Sequence, residues 1–219
     1  MNHPLRSSVL VAAFVAATCT GSAASRFPDP AQDIKVAAAG TQQIAVLAGG
    51  CFWGVEAVFE RLEGVQDVVS GFAGGSKATA HYEIVSTGTT GHAESVQITY
   101  DPAKITYGQL LKIFFAVAHD PTELNRQGPD EGPQYRSSIF YTTPEQKAVA
   151  EAYIHQLDAA KVFRHPIVTK VVSLEGFYAA EAYHQNFLDR NPTYPYIVYN
   201  DLPKLAQLKK DFPEMLKRK

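Results

Sequence analysis

Residues 44–48 are continuously apolar and run into Gly49-Gly50, the pattern of a short buried strand followed by a tight turn. From Cys51 the apolar positions fall at 51, 55, 58, 59 and 62, a one-face helical stripe that assigns Glu56, Glu60 and Glu63 to the opposite side. Cys51 then stands at a helix N-terminus. Residues 65–72 predict a second strand and 95–100 a third, with Val96, Ile98 and Tyr100 facing one way and Ser95, Gln97 and Thr99 the other. Extending that alternation back by two places Glu94 on the apolar face. Residues 110–118 are apolar nearly all round and predict a buried helix behind Ile105-Thr106. The polar stretch 119–134, with Gly128, Pro129, Gly132 and Pro133, reads as a long ordered loop, a kind of segment that often carries function. Residues 138–141 predict a strand. Thr143, Pro144 and Gln146 then form the capping-box start of a helix reaching about residue 160. A strand at 168–174, a helix at 178–188 and a last basic helix opened by Asp201 and Pro203 complete the pattern. Strands alternate with helices at varying spacing, which supports an α+β or mixed α/β sandwich on a partly parallel sheet. No internal repeat is present.

The first 24 residues fall outside this pattern and read as an export signal. Arg6 is their only charge, residues 9–17 are apolar, and Ser22-Ala23-Ala24 offers small residues for cleavage. The apolar run is too short to span a bilayer, which takes ~20 residues. The expected address is therefore exported, periplasmic or secreted; a lipid anchor at Cys19 ranks lower because Thr18 is bulkier than the small residue such sites have before the cysteine. Residues 25–42, with Pro28, Pro30 and an alanine-rich stretch, read as a linker, and 43–219 as a single catalytic domain.

The chain has 219 residues, 46% hydrophobic and 19% charged, so it is expected to fold. Its formal net charge of -2 offers nucleic acid no broad electrostatic footprint. Two cysteines cannot form a disulfide framework, a thiolate zinc site or an iron–sulfur cluster. Removal of the leader leaves Cys51 alone. A thiol at a helix N-terminus feels the positive end of the helix dipole and can be poised as a thiolate, whereas a cysteine used only for packing is a small buried hydrophobe. Phe52 and Trp53 beside it can wall an apolar pocket or simply fill the core. Glu94, if it points inward, has a raised pKa and can donate a proton; if it lies on the preceding turn it is solvated. His92-Ala93-Glu94 matches the H-x-E of zinc deaminases without the companion P-C-x-x-C, so a metal reading fails. His81, His119 and His184 read as structural. On these residues alone, a thiol peroxidase, a cysteine hydrolase and a non-catalytic methionine-binding module all remain open.

Five ordered blocks narrow the choice: Gly50-Cys51-Phe52-Trp53-Gly54, Thr90-Gly91-His92-Ala93-Glu94, His119-Asp120-Pro121-Thr122, Gln134-Tyr135-Arg136-Ser137 and Tyr183-His184-Gln185. Together they resemble the signature blocks of A-type peptide methionine sulfoxide reductases, from about Ile44 to Leu188. The resemblance implies an α+β, two-layer α/β sandwich with a mixed, partly parallel central sheet and a ferredoxin-like core. It further implies reduction of the S epimer of methionine sulfoxide, free or in proteins, as oxidative-damage repair. Cys51 would attack as a thiolate and become a sulfenic acid, Glu94 would supply a proton, and Tyr82 and Tyr135 would hydrogen-bond the sulfoxide oxygen. Phe52 and Trp53 match the methyl-binding aromatics and Asp130 an acidic residue beside the substrate. No bound metal or flavin is implied, and a monomer is expected. Many members carry resolving cysteines near the C-terminus, and residues 194–219 here have none. The reductant expected is therefore an external thiol: thioredoxin-like, glutaredoxin-like or small. The lysine-rich tail reads as a solvated helix face or as a dock for such a donor.

Overall fold

The computed structural model describes residues 27–34 and 40–218; the expected signal peptide and Cys19 lie outside them. Strand β1 (Gln43–Gly49) leads into helix α1 (Phe52–Glu60), then β2 (Val65–Ala73), the short helix α2 (Tyr82–Val85) and β3 (Ala93–Tyr100). Helix α3 (Tyr107–Ile113) continues into a π-helical turn, Phe114–Ala118. A small hairpin of β4 (Arg126–Gln127) and β5 (Asp130–Glu131) interrupts the polar loop before β6 (Ser137–Tyr141), α4 (Pro144–Ala159) and β7 (Lys170–Ser173). Strand β8 (Phe177–Ala179), α5 (Phe187–Arg190) and α6 (Leu202–Asp211) close the chain.

The main sheet has the order β7-β6-β1-β3-β2-β8. Its centre, β6-β1-β3-β2 with α1 and α3 as the connecting helices, is the expected ferredoxin-like core. Among the described residues the one parallel pair is β6 with β7. A flat sheet of six strands would hold its edges ~24 Å apart. The three residues joining β7 to β8 reach roughly 13 Å. The sheet therefore curls, and Leu174 and Phe177 plug the concave side against Val46, Ala48, Ala73, Ala93 and Phe140. The helices cover the other side, where Leu47, Phe72, Val96, Ile98 and Ile139 form the main core with Phe52, Val55, Val58 and Phe59 of α1.

Four sequence expectations change. Residues 178–188 are not a helix: 177–179 join the open edge of β2, and the chain then turns until α5 begins at Phe187. Gln185 prolongs the edge pairing with its side chain, accepting from Ser70 N–H and donating to Ser70 O, both at 2.9 Å. Unpaired strand groups outweigh the modest helix propensity there. The capping box at Thr143 is half made. Thr143 Oγ1 accepts from Gln146 N–H, but the Gln146 side chain turns to Thr142 and to the Ile44 carbonyl. The complete box lies at Thr106 and Gln109, heading α3. Asp201 stands at the N-cap of α6 and Pro203 in its first turn, as expected, but the Asp201 side chain caps no backbone N–H; the residue closes a π-helical turn, Ile197–Asp201, and its buried carboxylate pairs with Lys204. Lys204 is thereby withdrawn from the solvated face expected of the tail. Finally, the described part of the 25–42 stretch is strapped to the domain instead of hanging free. Phe27 packs edge-on against Phe163, Tyr153 Oη donates to Pro28 O, and Asp33 accepts from Thr106 Oγ1 and from Gly108 N–H at the start of α3.

Candidate active site

Gly50, at φ +87, turns the chain from β1 into α1; an added Cβ would come within 2.5 Å of the Gln127 side chain. That turn sets Cys51 at the N-cap, 8% exposed, with Phe52 beneath it in the core and Trp53 half-buried beside it. Strand β3 supplies Glu94 opposite Phe72 on β2, facing α1. Its Oε2 accepts from Phe52 N–H at 3.1 Å. Alternation along β3 alone predicts this inward carboxyl, and Glu94 is 3% exposed.

Cys51, Phe52, Trp53, Tyr82, Glu94, Asp130 and Tyr135 all line one cavity of about 190 Å³. Every site residue expected from sequence is thus gathered in one place, although they come from α1, α2, β3, the hairpin and the turn before β6. Arg136 explains how Tyr135 is delivered. Its guanidinium donates to the carbonyls of Gly91, His92 and Pro133, fastening the Tyr135 turn to the chain just before Glu94.

Two lining residues escaped the sequence reading, Tyr194 and Tyr196. Tyr196 Oη donates to Asp130 Oδ2, so the C-terminal segment and the hairpin meet across the cavity rim. Both tyrosines stand edge-on to Trp53. The Asn191–Tyr196 stretch lacks a recognisable motif; clustered tyrosines were its only signal. His184 accepts from Trp53 Nε1–H through Nδ1 at 3.2 Å and packs on Phe52 and Tyr82, a structural role behind the wall. His119 is likewise structural, held at both ring nitrogens by Phe114 O and Ser137 Oγ, and burial lowers it to about 4.

The electrostatics correct one expectation. Cys51 is not poised as a resting thiolate: burial, with the nearby carboxyls of Glu94, Asp201 and Asp130, pushes its thiol well above the usual range, against a smaller opposing contribution from Trp53 N–H. Desolvation outweighs the helix end, since among the described residues no cation lines the cavity. Glu94 moves as expected. Burial raises it to about 8, the Phe52 hydrogen bond opposing and Asp130 adding. At neutral pH the site holds a thiol and a carboxylic acid side by side. Burial raises Tyr82 and Tyr135 as well, which keeps both hydroxyls as donors. Among the described residues no three His, Cys, Asp or Glu side chains group to hold a metal ion, and no helix is long and apolar enough to cross a membrane. Cys51 is the free cysteine among them.

A family model described as peptide methionine sulfoxide reductase matches residues 43–216. A peptide methionine sulfoxide reductase MsrA 2 of Mesorhizobium japonicum is 59% identical over 182 residues, covering 83% of this chain and 93% of that protein. Its namesake from a Synechocystis species is 55% identical over 193 residues, covering 87% and 90%. Among solved structures, reduced Mxr1 of Saccharomyces cerevisiae aligns with TM-score 0.63 at 34% identity, covering 74% of this chain and 91% of that one. Methionine sulfoxide reductase A of Corynebacterium diphtheriae gives 0.61 at 36%, covering 71% and 77%.

Proposed function

Because the chain belongs to the peptide methionine sulfoxide reductase family, whose reaction it carries out by reducing methionine sulfoxide to methionine, we propose the following division of labour in its cavity. The sulfoxide enters with its methyl group against Phe52 and Trp53 and its oxygen toward Glu94, Tyr82 and Tyr135. Glu94, neutral at pH 7, donates its proton to that oxygen while the Cys51 sulfur attacks the sulfoxide sulfur; the thiol proton passes to the Glu94 carboxylate. With that second proton the oxygen leaves as water and the S–O bond breaks. A water molecule then attacks the Cys51 sulfur, losing a proton to Glu94, and the S–S bond breaks with its electron pair going to methionine, so the substrate sulfur is reduced and Cys51 is oxidised to a sulfenic acid. Asp130, held by Tyr196, borders the backbone side of the substrate. The observation that carries this reading is the convergence of Cys51, a protonated Glu94 and two tyrosine hydroxyls on one aromatic cavity. A thiol peroxidase needs a cation to stabilise its thiolate, and the lining residues offer carboxyls instead.

Recycling proceeds from outside. Residues 194–219 hold no cysteine. A first external thiol, small or thioredoxin-like or glutaredoxin-like, attacks the sulfenic sulfur and releases water. A second breaks the mixed disulfide and restores Cys51. The substrate is the S epimer, free or in proteins, and the protein acts as an exported monomer that repairs oxidised proteins. Single turnover tests the chemistry. Reduced protein without added reductant should form about one equivalent of methionine from the S epimer alone, with Cys51 left as sulfenic acid. No methionine from either epimer, with Cys51 reduced and the protein folded, refutes it. Fractionation of the native host tests export; finding the full-length, uncleaved chain in the cytoplasm refutes that part.

A further inference from the structure

No step above uses Glu56, a carboxyl on α1 that is 1% exposed, although its sequence position assigned it to the solvent side of the helix. It follows Trp53 by three residues and so shares its flank of α1. Glu56 Oε2 accepts from Asn186 N–H at 3.0 Å. Ser70 of β2 faces the same carboxyl, and Oε1 is buried without a hydrogen-bond partner. Asn186 stands at φ 53, in the left-handed region that asparagine tolerates better than most residues. This turn separates His184 from Phe187, and both hold Trp53. His184 Nδ1 accepts the indole N–H at 3.2 Å, and the Phe187 ring stacks on the indole with centroids 3.9 Å apart and planes 11° apart. The segment carrying them is pinned to the sheet by Gln185 and to α1 by Glu56.

We propose that Glu56 is a positioning residue for the substrate wall: through the Asn186 backbone it holds His184 and Phe187 against Trp53 and thereby fixes the indole that borders the sulfoxide cavity. The role of that cavity rests on the function proposed above; the clamp on Trp53 does not. Burial raises Glu56 to about 7, with Glu60 adding from the same helix and the Asn186 N–H opposing. Ser70 faces it from β2, while Asp67, Arg61, Asp189 and Lys217 act on Glu60 behind it. An ionised carboxylate accepts an N–H more strongly than a neutral one, so the clamp tightens as pH rises through about 7.

Trp53 is the only tryptophan of the chain, so its emission reports the wall directly. The experiment compares the full chain with Glu56→Gln, which keeps an acceptor for Asn186 N–H, Glu56→Leu, which does not, Phe187→Leu, and the Glu56→Leu/Phe187→Leu pair. Expected for Glu56→Leu are a red-shifted emission, easier acrylamide quenching and a KM for blocked methionine sulfoxide raised roughly tenfold, with a smaller change in kcat. Glu56→Gln should restore emission and KM but lose the step near pH 7 expected of the unaltered protein. In the Phe187→Leu background, Glu56→Leu should add less than it does alone, because only the His184 hold on the indole is left for it to loosen. A Glu56→Leu protein with lowered Tm but unaltered emission, quenching and KM would mark a purely structural residue and overturn the proposal. Persistence of the pH step in Glu56→Gln would assign it to a group other than Glu56 and overturn the proposal equally, even if Glu56→Leu fails to fold. If the unaltered protein turns over no sulfoxide while the variants show the expected emission changes, the functional reading is refuted and the clamp stands.

Discussion

Glu94→Gln separates the acid role of this carboxyl from its packing. Glutamine has nearly the same shape and keeps an oxygen to accept from Phe52 N–H, now at 3.1 Å, but it has no proton to give at the sulfoxide oxygen. General acid catalysis by a positioned side chain contributes roughly 10²–10⁴-fold, so single-turnover methionine formation at pH 7 should fall by at least about a hundredfold. Stability should move the other way with pH. Glu94 goes from 4.5 to about 8 on burial, so the folded protein keeps a proton that the unfolded chain has already released. The stability conferred by the neutral form is complete below pH 4.5 and is lost as pH rises through about 8. Between pH 6 and pH 9 this group alone should cost the unaltered protein about 2–3 kcal/mol, and glutamine does not titrate. Urea unfolding of both proteins at the two pH values measures the difference, since the groups outside the cavity titrate alike in both. The unaltered protein should also lose turnover above pH 8 as the acid ionises. A variant retaining more than a tenth of the activity would refute the proton-donor role. Equal loss of stability in both proteins from pH 6 to pH 9 would refute the inward, neutral carboxyl.

Cys51→Ser should form no methionine from either epimer while binding persists, because serine fills the same N-cap position without a sulfur to oxidise; burst-phase product analysis decides it. Tyr82→Phe and Tyr135→Phe should each lower kcat more than they raise KM, since the lost hydroxyls bond an oxygen whose charge grows during transfer, and steady-state kinetics with a blocked sulfoxide substrate read the split. Gly54→Ala should destabilise the fold by about 1–3 kcal/mol in urea, because an added Cβ collides with the buried Asp201 carboxylate and Lys204 must shift with it. Asp33→Ala should cost about 1 kcal/mol by removing the acceptor at the start of α3, and an unchanged midpoint would mean that the strap over residues 27–34 contributes nothing to stability.

Cys51 and Glu94 illustrate what could be read ahead and what could not. The inward direction of Glu94 followed from alternation on β3, and its raised pKa followed from direction alone, since burial penalises a charge whatever its neighbours are. The state of Cys51 did not follow from its place at a helix start. Helix end and burial act oppositely on a thiol, and which prevails depends on carboxyls that arrive from β3, the hairpin and the C-terminal segment. Glu56 is the clearest case of the same limit. An apolar stripe identifies the face of α1 turned to the sheet, but a second covering layer, the segment around Asn186, buries the opposite flank, and nothing in the local pattern announces it.

The sequence by itself determined the central βαββαβ succession, the helix that begins at Cys51 and the inward direction of Glu94, because these depend on local periodicity; Tyr82, Asp130 and Tyr135 were assigned to the cavity only by the resemblance of their motifs to a known family. Tertiary structure alone decided that residues 177–179 pair as a strand, that the sheet curls and that Phe27 and Asp33 strap onto the body. It also brought Tyr194 and Tyr196 to the rim and left the thiol protonated. The physical reason is common to all of these. Each depends on free energies of burial and hydrogen bonding set by groups distant in sequence, such as an unpaired strand edge, a covering segment or a desolvated carboxyl, and these outweigh the weak local preferences that a sequence pattern records.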